Sequence, residues 1–134
     1  MKVYAEVLSN IYAAFGRGDV PSILERLDEN VEWEYGASPC DVPWLLARRG
    51  RAQVGQFFET LNTHTQFENF AVKTILTGEN IAVALVDLTF QVKRTGKRVE
   101  EVDEAHIWHF GAGGQVVRFR HRADTLQHQL AWQG

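Results

Sequence analysis

The chain is 134 residues long, 45% hydrophobic and 23% charged, with a net charge of -3. These values fit one packed domain and exclude a disordered chain, and the acidic balance argues against a duplex-binding surface, which needs a basic excess to neutralise phosphates. The single cysteine, Cys40, excludes an internal disulfide and a thiolate zinc cluster and suits a reducing compartment.

Met1 to Glu6 runs straight into an amphipathic pattern whose apolar stretch is too short and too interrupted for a signal peptide or a membrane span. A cytoplasmic protein with no membrane partner is expected. Val3, Val7, Leu8, Ile11, Tyr12 and Phe15 recur at helical spacing, and the pattern stops at Gly16-Arg17-Gly18, where glycine permits the left-handed backbone of a helix end. Asp19 is placed to cap a short second helix that opens with Val20-Pro21 and buries Ile23, Leu24 and Leu27.

From Asn30 the period changes: Val31, Trp33 and Tyr35 alternate with Glu32 and Glu34, as in a half-buried strand. Residues 36–50 carry Pro39 and Pro43 and read as a loop whose Trp44, Leu45 and Leu46 need cover, either as a lid over a pocket or as a turn packed on the core or a partner subunit. A third helix follows from Arg51, with Val54, Phe57, Phe58 and Leu61 on its apolar stripe. Residues 67–76, 81–94, 98–110 and 116–124 then read as strands of an antiparallel meander, separated by glycine-containing turns. The whole is an α+β domain spanning 1–134, with helices gathered on one face of a sheet.

The residues Gly18-Asp19, Val31-Glu32-Trp33, Gly50-Arg51-Ala52 with Phe57-Phe58, Ala105 to Phe110, and Gly114 to Arg120 together resemble the SnoaL-like family of the nuclear transport factor 2-like superfamily over nearly the whole chain. The resemblance implies a cone-like cavity between a strongly curved, mostly antiparallel sheet and its N-terminal helices, with the outer sheet face commonly used for dimerisation. Family members include isomerases, cyclases and epoxide hydrolases, and also proteins that only bind, so the fold does not assign a reaction.

Strand parity selects candidate side chains, because alternate residues face opposite sides. In the last strand Val117, Phe119, His121 and Ala123 share the apolar face, which places His121 in the cavity as a candidate general acid or base. The resemblance to ketosteroid isomerase puts Asp103 where that family keeps a protonated acid that donates to an oxyanion. It puts no carboxylate at the position of the base, which falls at Tyr35 or Trp33, and it leaves Tyr12 one place from the oxyanion-hole tyrosine. The Asp-Arg-Asp set of limonene epoxide hydrolase is likewise broken, with His121 in place of an acid and Leu85 in place of the arginine. His121 and Asp103 are therefore the expected catalytic pair, and Tyr12, Trp33, Tyr35, Phe58, Phe90, Phe119 and Asp124 the expected pocket residues. For Asp124 a structural cap is the favoured role.

No metal or organic cofactor is expected, since His106 and His109 point to opposite faces of their strand. Arg118, Arg120 and Arg122 beside His106, Trp108 and Phe110 suggest an outer interface, hence a homodimer through Arg118, Arg120 and Trp108. Two functions follow: a cofactor-independent isomerase, cyclase or hydrolase acting on an apolar oxygen-bearing metabolite, or a non-catalytic binding or accessory protein using the same cavity.

Overall fold

The computed structural model describes residues 2–34 and 40–134. Helix α1 (Lys2–Gly16) buries Val7, Leu8, Ile11 and Ala14. It ends where expected, with Gly18 at φ 72°. Asp19 then caps α2 (Val20–Leu24), its carboxylate accepting from the Ser22 N–H and hydroxyl. The glycine supplies a backbone that a side chain resists, and the aspartate satisfies a helix-end donor, so the Gly-Asp corner is built from both.

Strand β1 (Leu27–Glu34) starts earlier than its alternation suggested, burying Leu27, Val31 and Trp33. After a single 3-10 turn (Pro43–Leu45) comes the two-residue strand β2 (Arg48–Arg49), which the sequence did not reveal. Trp44 and Leu45 are buried, so this part of the loop packs inward, while Leu46 is exposed. Helix α3 (Gly50–His64) opens on a glycine at φ 83°, where an added Cβ would lie 3.3 Å from the Glu29 carbonyl. The next residue, Arg51, donates from Nε to the Leu27 carbonyl at 2.8 Å, pinning α3 to β1.

The four long strands follow the expected meander: β3 (Thr65–Gly78), β4 (Ile81–Val92), β5 (Arg98–Phe110) and β6 (Val116–Arg122). The sheet order is β2-β1-β6-β5-β4-β3, antiparallel except for the parallel β1–β6 pair, and it stays open. Irregularities interrupt the ladders between Val72 and Thr74 and between Val86 and Leu88. Extra residues of this kind bend and twist a strand, which curves the sheet around the helices. Helix α4 (Thr125–Gln133) was not foreseen. It buries His128 and Ala131 and is tied to the β4–β5 turn by Thr95 Oγ1 donating to the Ala131 carbonyl at 2.6 Å. Among the described residues, no helix is long and apolar enough to cross a membrane.

Candidate functional site

The concave face of the sheet and helices α1, α3 and α4 enclose a cavity of about 70 Å³. Its walls are mostly aromatic: Trp33, Phe57 and Phe58 on one side, Trp108 and Phe119 on the sheet, Trp44 and Phe90 toward α4. Phe15, Phe67 and Phe70 form a throat, with ring centroids 5.0 to 5.8 Å apart. The same rings also line a wider groove of about 940 Å³ between α1, α3 and β3.

One end of this cavity is polar. His106 and His121 are direct cross-strand neighbours on β5 and β6, with ring centroids 5.1 Å apart. Glu104 lies two residues before His106, hence on the same face of β5. Both imidazoles turn Nε2 to the same carboxylate oxygen, Glu104 Oε1, at 2.7 Å from His106 and 2.5 Å from His121. Behind His106, the Trp108 indole donates to Tyr12 Oη at 3.2 Å, and the phenol proton goes on to His106 Nδ1 at 2.6 Å. A second pair stands beside the first: His128 Nε2 donates to Glu101 Oε2 at 2.8 Å, and Trp44 Nε1 donates to His128 Nδ1 at 3.0 Å. An indole nitrogen only donates, so His128 Nδ1 is the acceptor of this bond and Nε2 the donor to Glu101.

Burial opposes the charge of Glu104, but the His121 imidazole and the hydrogen bonds from both histidines outweigh it and hold the carboxyl down, at about 2. Burial drives His121 the other way for a base, from 6.5 to about 4, against the pull of Glu104. Near neutral pH Glu104 is thus a carboxylate beside a neutral His121 imidazole. Burial also pushes the Tyr12 phenol above its ordinary value. A neutral imidazole whose N–H is held by a carboxylate has its lone pair on the other ring nitrogen, the arrangement of an oriented general base.

His121, Tyr12, Trp33, Phe58, Phe90 and Phe119 all line the cavity. Asp103 does not. It sits at φ 59° on the outer surface, where Lys73 binds both Asp103 and Asp87, and the Asp103 N–H donates to Asp87 Oδ1 at 3.0 Å. The β5 burial pattern carries two exposed residues in a row, Val102 and Asp103, so everything beyond them changes face relative to strict alternation. The same shift turns Trp108 inward, where it is 2% exposed, and removes it from the expected outer interface. His106 and Phe110 turn in with it, while His109 faces outward beside Arg118. Asp124 is no pocket residue: its carboxylate accepts from the Gln127 N–H and caps α4. Tyr35 lies outside the described residues.

Glu104, His106 and Glu101 were missed because the run Glu100 to Glu104 reads as a solvated stretch unless the bulge is known. His128 was missed with its helix, although Asp124 and Gln127 stand at capping-box spacing. Glu104, His106 and His121 also form a set whose ligand atoms lie within 4.8 Å of one another, as do Glu101, Glu104 and His128. Either set has the residue types of a divalent-metal site, one that the comparison of His106 with His109 did not address. As they stand, the separations of 2.5 and 2.7 Å at Glu104 are those of hydrogen bonds.

The model of the SnoaL-like domain matches residues 8–119, and the chain belongs to this family. Solved structures share the fold almost end to end. A nuclear transport factor 2-like protein of unknown function from Burkholderia pseudomallei aligns with a TM-score of 0.83 at 21% identity, covering 98% of each chain. Another such protein, from Burkholderia thailandensis, gives 0.83 at 23% identity and 96% of each chain. TerC, co-crystallized with polyporic acid, gives 0.81 at 18% identity, covering 98% of this chain and 99% of its own. No curated protein matches.

Proposed function

We propose that this SnoaL-like protein is a cofactor-independent enzyme that moves a proton on an apolar, oxygen-bearing small molecule, as an isomerase, cyclase or hydrolase. The observation that carries the reading is the meeting of Glu104, His106 and His121 at the polar end of an otherwise aromatic cavity. His121 exchanges the proton, Glu104 orients its ring and stabilises the imidazolium that forms, and the aromatic walls exclude water. TerC, of the same fold, was co-crystallized with polyporic acid, which accords with an oxygen-bearing ligand here.

A thermal-shift screen against ketones, epoxides, lactones and polyketide fragments, run on wild type and His121→Ala, tests the reading. A ligand that stabilises both proteins and is converted by wild type alone supports it, because a ligand of the folded state raises apparent stability. A ligand that stabilises both and is converted by neither supports the second reading, a binding protein, which the mutually satisfied Glu101–His128–Trp44 network favours.

The outer sheet face is our proposed homodimer interface. Val83, Leu85 and Ile107 lie there half-buried, and on the neighbouring β6 Arg118 and Arg120 are held by Glu32 and Glu34 of β1. A reducing cytoplasmic setting fits the free Cys40.

A further inference from the structure

Three tryptophans line the cavity, and two of them spend their N–H inside the protein. Trp44 donates to His128 and Trp108 donates to Tyr12. Trp33 does neither. It is 2% exposed, its Nε1 is buried, and no hydrogen-bond acceptor among the described residues reaches it. The ring is fixed by stacking on Phe119 at 4.1 Å between centroids and by edge contacts with Trp108 at 5.8 Å and Phe58 at 6.0 Å. A buried donor left without an acceptor is costly and uncommon in a folded protein, and in the wall of a ligand cavity it is accounted for by an acceptor that arrives with the ligand.

The charges lining the cavity narrow what that acceptor is. Among the described residues lining it there is no lysine or arginine, and Glu104 is the lining carboxylate. Arg118 and Arg120 of β6 sit on the opposite face, tied to Glu32 and Glu34. A carboxylate or phosphate entering this cavity would be desolvated beside a buried carboxylate with no cation to meet it. A neutral oxygen carries no such penalty and accepts an indole N–H as well.

We infer that Trp33 is a specificity-determining residue whose Nε1–H holds a neutral carbonyl, ether or hydroxyl oxygen of the ligand, so that the pocket takes uncharged oxygenated aromatics or terpenoid-like molecules and rejects carboxylates. This deepens the pocket reading above and rests on it. Trp33 pairs with Phe119, two residues before His121 on the same face of β6, so a ligand oxygen held at Trp33 and the proton site at His121 belong to one cavity.

Three probes of like shape test it: acetophenone, ethylbenzene and benzoate. In protein carrying 15N-labelled tryptophan the four indole signals are followed, the Trp33 signal being the one missing from Trp33→Phe. Should that variant not fold, the signal is assigned in wild type by triple-resonance experiments. Acetophenone is expected to move the Trp33 signal downfield and to bind about tenfold more tightly than ethylbenzene, the difference one hydrogen bond makes. Trp33→Phe is expected to bring that ratio to about one. Equal affinities for the two, with the Trp33 signal changed by neither oxygen nor its absence, overturn the inference and leave the pocket intact. Benzoate binding as tightly as acetophenone overturns the selection for neutral ligands. Failure of all three to bind wild type overturns the pocket reading and this inference together.

Discussion

At the scale of single residues, neighbours in sequence have opposite fates. Asp103 stands in solvent with Lys73, while Glu104 accepts two imidazole donors inside the protein. Removing the Glu104 carboxylate strips both histidines of their common acceptor, so Glu104→Ala is expected to lose about 3 kcal/mol in chemical denaturation. Asp103→Asn is expected to leave the denaturation midpoint where it is. The titration of His121 adds a pH dependence. The unfolded chain takes up this proton near 6.5 and the folded protein only at about 4, so between those values the unfolded state holds the extra proton. Stability is intact above pH 6.5 and falls as pH drops toward 4, by about 3 kcal/mol from this group. Glu104, held from 4.5 down to about 2, extends the loss below pH 4.5. Denaturation midpoints measured from pH 7 to 4 check this; a flat profile contradicts the buried neutral His121.

At the scale of elements, the first three helices, the Asp19 cap and the four long strands were legible because each writes its period or its punctuation locally. Gly18-Asp19, the Val31/Trp33 alternation and the glycine turns act within a few residues. The facing of β6 was legible for Phe119 and His121 but not for Val117, which is half-buried while Val116 takes the inner place. What the alternation hid was the extra residue in β5. A bulge is stabilised by a partner in another strand, here Asp87 of β4 accepting the Asp103 N–H, and nothing in residues 98–110 alone announces it. One such residue exchanged the faces of Asp103, Glu104, His106 and Trp108, and with them one of the two expected catalytic residues. Helix α4 is short, and its inward side rests on His128 and Ala131 rather than on a stripe of large apolar residues, so its period is faint. Its cap can be tested: Asp124→Ala is expected to cost about 1 kcal/mol of stability while ligand binding persists, because the carboxylate holds the Gln127 N–H and does not line the cavity. Loss of binding at unchanged stability would return Asp124 to the pocket.

At the scale of the whole molecule, a bent open sheet has two faces with different duties. The concave side, closed by α1, α3 and α4, holds the aromatic cavity and its Glu-His cluster. The convex side carries the half-buried Val83, Leu85 and Ile107, and the homodimer proposed there predicts a dimer in sedimentation and a shift to monomer in Leu85→Lys. A monomeric wild type contradicts that interface without touching the cavity. The central claim is that Glu104 and His121 form an acid/base centre inside the pocket, and it meets its most direct test in the turnover of a stabilising ligand by wild type and His121→Ala at matched saturation. Retained binding with turnover lowered at least a hundredfold is the predicted result; conversion at the wild-type rate by the alanine variant would contradict it.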